Sequence, residues 1–176
     1  MNEKNTFSQN EEEIMQFYNL HGISGKITIR AKIIKTWLLH KSAFSSINSS
    51  WVVRMQRARG VKIGTNCHIS PYVLMDLIYP GMITIGNNVT IGSNTMIYAH
   101  YNVTSNELLK QNGFPRKVEQ VIIDDGAVIG PGSIITVGTK IGKNSIIGAG
   151  SVVNNKIPDN TIALGNPARV IKKIEF

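Results

Sequence analysis

The sequence predicts an all-β fold, a parallel β-helix built as a triangular prism of hexapeptide repeats, with a small helical N-terminal segment. The main observation is a period of six. From residue 123 an aliphatic residue returns at every sixth position, as Ile123, Ile129, Ile135, Ile141, Ile147 and Val153. A second observation is that the residue four positions further on is small in every hexad but the last. Neither an α-helix nor an alternating strand has this period.

Each hexad is interpreted as one short strand and a corner, and three hexads make one turn of the prism. The aliphatic residue points inward and stacks on its equivalents in neighbouring coils. Gly or Asn at the corners tolerates left-handed backbone angles. One coil cannot bury its own interior, so several must stack. Residues 123–158 number 36 and therefore hold six hexads, or two coils.

The same frame is present upstream, where residues 63–102 add roughly two more coils. Its aliphatic positions are Ile63, Ile69, Ile85, Ile91 and Ile97. The frame slips at residues 77–82, which are interpreted as a small insertion, and is suspended over 103–120, which are interpreted as a long loop. The β-helix is therefore assigned to residues 61–158. A closing segment follows at 159–176, and 170–176 are expected to form a strand or a helix.

Residues 1–60 lack the repeat and are expected to be largely helical. Acidic residues at 11–13 favour a helix start, because the N-terminal end of a helix attracts negative charge. We expect helices at 12–20, 27–39 and 51–59, and a loop at 45–50.

The net charge of +8 is concentrated in this segment. No Asp or Glu occurs between Ile14 and Met75, and nine basic residues lie within 26–62. Such a surface favours an anionic partner, which includes an acidic or phosphorylated glycan and a membrane surface; a solvated basic face is the alternative. No nucleic-acid motif is present and no aromatic residues interleave with the cations, so nucleic acid is not expected as a partner.

The chain is expected to be cytoplasmic, with a peripheral position at the inner membrane face left open. The first residues lack the apolar core of a secretory signal. The longest apolar run, 33–39, is too short to span a bilayer. Cys67 is the only cysteine, so an internal disulfide is excluded.

Three stretches carry a family resemblance. Residues 141–153, followed by 157–158 and 165–171, resemble the C-terminal signature of hexapeptide-repeat acetyltransferases. Residues 97–100, before the loop with 107–113, are similar to galactoside, maltose and nodulation-factor acetyltransferases, and 57–64 to capsule, O-antigen and colanic-acid O-acetyltransferases. The resemblance implies a left-handed coil and direct acetyl transfer from acetyl-CoA to a sugar hydroxyl. It also implies a homotrimer with active sites between subunits.

His100 is the predicted catalytic base. A sugar hydroxyl is a poor nucleophile, and its activation needs a base that titrates near neutrality, which histidine does without special tuning. The resemblance assigns the same role to the histidine at this position. For the acceptor sugar the predicted contacts are Ser70, Asp76 and Tyr98, with an ordinary turn aspartate as the alternative for Asp76.

The predicted cofactor site combines small residues with cations. Small side chains allow backbone amides to approach the pantetheine arm, and cations bind the phosphates. By resemblance, Ala149 contacts CoA through its backbone, while Arg169 and Lys172 lie near it. Relatives often have Ser in place of Pro131 and Thr-Lys in place of Asn154 and Asn155. The full set is Gly130, Pro131, Gly148, Ala149, Asn154, Asn155, Lys156, Arg169 and Lys172.

Three other functions are weighed against sugar O-acetylation. Gamma-class carbonic anhydrases share this coil, but the resemblance implies that they need three histidines, and only His68 and His100 lie in the repeats. No metal is therefore expected. A nucleotide-sugar N-acetyltransferase would use the same base on an amine. A non-catalytic glycan-binding coil is the third alternative. Cys67 is not expected to carry an acyl group, since no neighbour in the sequence activates it.

Overall fold

The computed structural model describes residues 6–103 and 106–176, and three short parallel sheets dominate it. Successive strands pass from the first sheet to the second, then to the third, and then back to the first. The first sheet contains β1 (Lys62–Ile63), β4 (Ile83–Ile85), β9 (Val121–Ile123) and β12 (Lys140–Ile141). The second contains β2 (His68–Ile69), β5 (Thr90–Ile91), β10 (Val128–Ile129), β13 (Ile146–Ile147) and β15 (Thr161–Gly165). The third contains β3 (Leu74–Met75), β6 (Met96–Ile97), β11 (Ile134–Ile135) and β14 (Val152–Val153).

This order is a coil of parallel strands, as the hexads predict. Equivalent positions stack in register, for example Ile63 on Ile85, Ile85 on Ile123 and Ile123 on Ile141. The first twelve of these strands, taken in threes, give four coils, which matches the two plus two expected, and β15 extends the second sheet beyond them. The predicted closing segment is a strand, β16 (Ala168–Lys173), which pairs antiparallel with β15.

The interior of the coil consists of the two residues that the repeat selects in each hexad. The inward aliphatic residues of β10, β11, β12, β13 and β14 are 0–1% exposed. The Ser or Thr four positions after the inward residue of β10, β11, β12 and β13 is also buried, and its hydroxyl bonds to main-chain oxygens. Ser133 donates to the carbonyl of Gly130 at 2.8 Å and Ser151 to that of Gly148 at 2.6 Å. The buried hydroxyls are thereby satisfied, which keeps their desolvation cost low.

Left-handed backbone angles fall at the third position after the inward residue. Asn occupies this position at 66, 88, 94, 144 and 160, and Gly occupies it at 126, 132, 138 and 150, with φ between 53° and 76°. Tyr72, with φ of 64°, is the exception in residue type. Asn and Gly tolerate this region better than other residues, which explains their recurrence.

The glycine directly after the inward residue has a different function. Gly86 does not have a positive φ, but a Cβ built on it would lie 2.7 Å from the backbone nitrogen of Asp125 in the next coil. Glycine is therefore required here because the main chains of stacked coils approach so closely.

We expect Gly86→Ala to lower the free energy of unfolding by about 1–3 kcal/mol, because an added methyl group forces the stacked backbones apart. Gly81 is the matched control: a Cβ there meets only the Gly60 carbonyl oxygen, at 3.8 Å. Gly81→Ala should change stability by no more than about 0.5 kcal/mol. Equal denaturation midpoints for the two variants would contradict the close-approach explanation.

Three helices precede the coil: α1 (Thr6–Phe17), α2 (Gly22–Phe44) and α3 (Ser49–Arg59). Each of the three expected helices is present, but α1 lies earlier than the expected 12–20, so the acidic residues 11–13 are inside the helix and not in its first turn. Helix α2 extends five residues beyond the expected 27–39 at each end. The Asn48 side chain caps α3 by accepting a bond from the Trp51 amide, and Gly60, at φ 109°, ends it. Within the described residues, none of the helices combines the length and apolar character that crossing a bilayer requires.

The helices are not detached from the coil. Ala43 of α2 and Val52 and Val53 of α3 are buried in the same apolar core as the inward residues of the repeats. A second, smaller core joins α1 and α2 to the insertion, and Tyr79 is its fully buried member from that insertion.

Both interruptions of the repeat leave from the third sheet. The first follows β3 and contains a 3₁₀ turn at Pro80–Met82. The second follows β6 and contains β7 (His100–Tyr101), α4 (Glu107–Gln111) and β8 (Lys117–Val118), with β7 and β8 paired antiparallel. His100 therefore lies where the long excursion begins.

Candidate active site

The side chain of His100 is held by a buried carboxylate. Its Nδ1 lies 2.5 Å from Oδ2 of Asp76, a residue one coil earlier in the repeat array. The imidazole is 22% exposed, whereas the Asp76 side chain is 0% exposed. The two side chains meet because Asp76 directly follows β3 and His100 closely follows β6, and these strands stack in register.

Both oxygens of the Asp76 carboxylate accept hydrogen bonds from the protein. Oδ1 accepts from the amides of Ile78 and Tyr79, both at 2.9 Å, and Oδ2 accepts from the amide of Ala99 at 3.0 Å in addition to His100. Burial acts to raise the pKa of Asp76, but the bond from His100 and those from the two amides outweigh it. The pKa of Asp76 therefore lies below its ordinary value, and the group is a carboxylate at neutral pH.

This arrangement determines which nitrogen of His100 carries the proton. A carboxylate can only accept, so Nδ1 must donate, and the neutral ring presents an unprotonated Nε2. Among residues 6–103 and 106–176, none forms a hydrogen bond with Nε2. Nε2, on the partly exposed side of the ring, is therefore an unprotonated nitrogen that can act as a base, and the tautomer is fixed by Asp76.

The insertion forms a wall beside the imidazole. The ring of Tyr79 meets His100 edge to face, with centroids 5.0 Å apart. Its hydroxyl accepts a bond from Arg116 at 3.0 Å. Burial is the main reason why the pKa of Tyr79 is raised, so the phenol stays neutral.

Helix α1 fastens the excursion to this wall. Glu13 accepts from Lys110 at 2.5 Å and from Arg116 at 2.7 Å, so one carboxylate holds two of the cations of the excursion. The expected helix at the start of the chain therefore supports the predicted base through Glu13, Arg116 and Tyr79.

A buried arginine holds the backbone beneath the pair. Arg59, at the end of α3, is 6% exposed and donates to the carbonyls of Met75 at 3.1 Å and Asp76 at 2.6 Å. Burial lowers the pKa of Arg59 to about 10, so it remains a cation at neutral pH. The neighbouring His40 has its pKa lowered to about 4, mainly by burial, and is neutral beside it.

The predicted acceptor residues lie at two corners of the coil. Asp76 and Tyr98 directly follow strands of the third sheet, and Tyr98 lies one coil after Asp76. Ser70 follows a strand of the second sheet, in the same column as Gly130 and Gly148. Asp76 was expected to hold the sugar. Because its carboxylate is buried and fully bonded, we propose instead that it orients His100.

The predicted cofactor residues are mostly at the surface. Seven of them are exposed: Pro131, Ala149, Asn154, Asn155, Lys156, Arg169 and Lys172. Asn154 follows a strand of the third sheet, at the corner that also carries Tyr98. A pocket of about 380 Å³ lies against the outer face of the second sheet, next to Lys172 and Lys173.

The backbone amides of Gly130, Gly148 and Ala149 differ in whether they already donate a hydrogen bond within the coil. The amides of Gly130 and Gly148 donate to the carbonyls of Ile147 and Ala163, both at 2.8 Å, and are thereby used within the coil. The amide of Ala149 forms no such bond within the described residues. Ala149 therefore offers a donor at an exposed position, which fits the backbone contact that the resemblance implies.

The remaining candidates stay outside this site. His68 is exposed at β2. The Cys67 thiol is half-buried and lies 3.1 Å from the carbonyl oxygen of Gly86. In the described part of the chain, no three His, Cys, Asp or Glu side chains are grouped so that they could hold a metal ion.

Comparison with known proteins identifies close relatives. The model for the hexapeptide repeat of succinyl-transferase matches residues 120–155. Protein CapG of Staphylococcus aureus is 37% identical over 125 residues, which are 68% of this chain and 69% of CapG. A maltose O-acetyltransferase structure from Clostridium difficile is 30% identical with a TM-score of 0.66, covering 85% of this chain and 89% of that one. A Vibrio cholerae hexapeptide-repeat acetyltransferase complexed with acetyl-CoA is 25% identical with a TM-score of 0.71, covering 89% and 93%.

The extent of these matches differs between relatives. In the first three curated relatives, all named as acetyltransferases, the alignment spans 44–59% of the relative's length. CapG and the Clostridium enzyme are matched over more than two thirds of their length at 30% identity or more. With its coil of parallel strands, the chain belongs to the hexapeptide-repeat acetyltransferase superfamily.

Proposed function

We propose that the protein transfers the acetyl group of acetyl-CoA to a sugar hydroxyl of a cell-surface polysaccharide or its precursor. The observation that carries the proposal is His100, whose Nδ1 is engaged by a buried carboxylate and whose Nε2 is left as a base. Relatives named as maltose and galactoside O-acetyltransferases support a hydroxyl acceptor.

The reaction needs one proton to be moved twice. Nε2 of His100 takes the proton of the acceptor hydroxyl as its oxygen attacks the thioester carbonyl. The imidazolium that forms is stabilised by the Asp76 carboxylate at Nδ1. When the carbon–sulfur bond breaks, the same proton is delivered to the departing thiolate, and His100 is neutral again. No residue carries the acetyl group at any stage.

Acetyl-CoA supplies the activated acyl group, and the exposed residues fit its parts. We expect the amide of Ala149 to donate to the pantetheine arm or to the carbonyl oxygen. The amides of Gly130 and Gly148 are bonded within the coil, so they are not the donors for a developing oxyanion. The phosphates are assigned to Lys156, Arg169 and Lys172, with Pro131, Asn154 and Asn155 along the groove.

The placement of the two residue sets favours a trimer. Within one chain a strand of the third sheet separates the corner with Gly130 and Gly148 from the corner with His100. A threefold assembly brings the second corner of one chain opposite the third corner of its neighbour. The left-handed winding and triangular closure that the resemblance implies are part of this proposal. Mass measurement at micromolar concentration should give three chains, and a fully active monomer would refute the shared site.

The activity can be tested in two steps. Acetyl-CoA at about 100 times its Kd should raise the unfolding free energy by about 2.7 kcal/mol. Release of free CoA thiol is then measured with neutral sugars, acidic sugars and amino-sugar nucleotides as acceptors. Turnover with hydroxyl acceptors supports the proposal. Turnover restricted to the amine would establish N-acetylation instead, and absence of any acetyl-CoA stabilisation would indicate a non-catalytic coil.

A further inference from the structure

Helix α2 presents an apolar face on the side opposite to its buried face. The buried face consists of Gly25, Ile29, Thr36, His40 and Ala43. The outward apolar side chains follow the spacing i, i+4, i+11, i+14 and i+15, which places them within roughly one 100° arc of the helix. They are Ile23, Ile27, Ile34, Trp37 and Leu38, and they are 80%, 65%, 58%, 49% and 53% exposed. We refer to these five side chains as the outward face.

Cations surround the outward face. Lys41 lies on the same arc, and its ammonium is 5.2 Å from the centroid of the Trp37 ring. Lys35 flanks the arc and is exposed. At the C-terminal end, Trp51 of α3 donates to the Ser42 carbonyl at 3.3 Å, with Arg54 beside its ring. No acidic residue occurs from Met15 to Leu74, so neither α2 nor α3 contributes a negative charge. Arg30 lies on the same arc and is paired at 2.6 Å with Glu11 of α1, whose side chain is 6% exposed.

This combination indicates what covers the face. Two copies of the face packed together would place Lys35 and Lys41 close to the cations of the second copy, and the nearby Glu11 is buried and already paired with Arg30 at 2.6 Å. A sugar acceptor would not bury five large apolar side chains that extend over about 22 Å of helix. A bilayer surface with anionic lipids satisfies both components, since apolar side chains enter the acyl boundary while lysines meet the headgroups.

We propose that α2 lies in the surface of an anionic lipid bilayer, with the outward face inserted and α1, α3 and the coil on the aqueous side. The proposal does not depend on acyl transfer. It restricts the anionic partner of the basic segment to a membrane surface. The segment lies along the membrane rather than across it.

The two tryptophans of the chain are both in this region and report the contact directly. The full-length protein is mixed with vesicles containing about 30% phosphatidylglycerol in phosphatidylcholine, and with pure phosphatidylcholine vesicles. Co-sedimentation and a blue shift of tryptophan emission are expected with the anionic vesicles. Binding should weaken severalfold when salt is raised from about 0.05 to 0.5 M, because screening reduces the headgroup contribution.

Paired substitutions separate the two components. Ile27→Gln with Ile34→Gln keeps the charge and should lower the partition coefficient about tenfold or more. Lys35→Gln with Lys41→Gln keeps the apolar side chains and should remove most of the salt dependence. Phe176→Gln is the matched control, since Phe176 is 93% exposed at the other end of the chain and should bind like the unmodified protein.

Three outcomes would overturn the proposal. The first is no binding of the unmodified protein to anionic vesicles. The second is unchanged binding by the double isoleucine variant, which would leave only charge. The third is a smaller oligomer for that variant, which would assign the outward face to a second copy of the chain. Thermal unfolding distinguishes these from misfolding and should be unchanged, because both isoleucines are exposed.

Discussion

Replacing His100 by alanine is expected to lower kcat by ~10²–10⁴-fold, the range that general-base catalysis supplies. The acceptor hydroxyl then loses the proposed base, whose tautomer is fixed by Asp76. Acetyl-CoA stabilisation should be nearly unchanged, because the imidazole is not among the groups assigned to the phosphates. The measurement is steady-state thiol release together with thermal unfolding in the presence of acetyl-CoA.

Two variants control this result. His68→Ala removes an exposed histidine from the coil before that of His100 and should leave kcat unchanged. Cys67→Ala should also remain active, and mass spectrometry without acceptor should find no acetylated peptide. Near-normal turnover by His100→Ala would remove both the role of the histidine and the site built around it.

Asp76→Asn is expected to lower kcat by about 10²-fold, since the amide cannot match the four bonds of the carboxylate. Oδ1 accepts from two amides and Oδ2 from Ala99 and His100, so either orientation of the amide sets its NH₂ group against donors. A loss of about 1–3 kcal/mol of unfolding free energy should accompany the change. Acetyl-CoA stabilisation identifies the variant as folded.

Turnover and ligand binding together distinguish orientation from general damage. In Asp76→Asn the imidazolium formed during transfer loses its carboxylate partner, so kcat should fall while acetyl-CoA stabilisation is retained. Equal losses of turnover and of acetyl-CoA stabilisation would assign Asp76 a purely structural role. Acid should also remove the contribution that ionised Asp76 makes to the free energy of unfolding. The folded-state pKa of Asp76 lies below the ordinary 3.8, so this contribution is complete above pH 3.8. It is lost as the pH falls through the folded-state pKa.

The coil could be predicted because its determinants are local and repeated. Each hexad contains its own inward aliphatic residue, and every further coil repeats the pattern seen at Ile123 or Ile129. The role of the glycines was less accessible. The sequence shows that Gly86 follows an inward residue, but the requirement arises from the backbone of Asp125, which is 39 positions away and one coil above.

The proposed base could be named from the sequence, whereas the carboxylate that holds it could not. His100 is marked by its place before a long excursion, whereas Asp76 was assigned to the sugar because an aspartate after a strand is ordinary in a turn. The in-register pairing of β3 with β6 could have indicated the contact, because Asp76 and His100 each follow a strand of the third sheet. The contacts of Glu13 with Lys110 and Arg116 span about a hundred residues, and no spacing rule indicates them.

Both breaks in the repeat open from the same edge of the coil, after β3 and after β6. A segment that leaves at a corner and returns in register adds length without disturbing the ladder above or below it. The residues assigned to CoA lie in the later coils, beyond these two departures. Under the proposed function, acceptor choice and donor choice would be encoded in separable stretches of sequence. A grafted excursion with its matching α1 is then expected to change the acceptor while leaving acetyl-CoA binding intact.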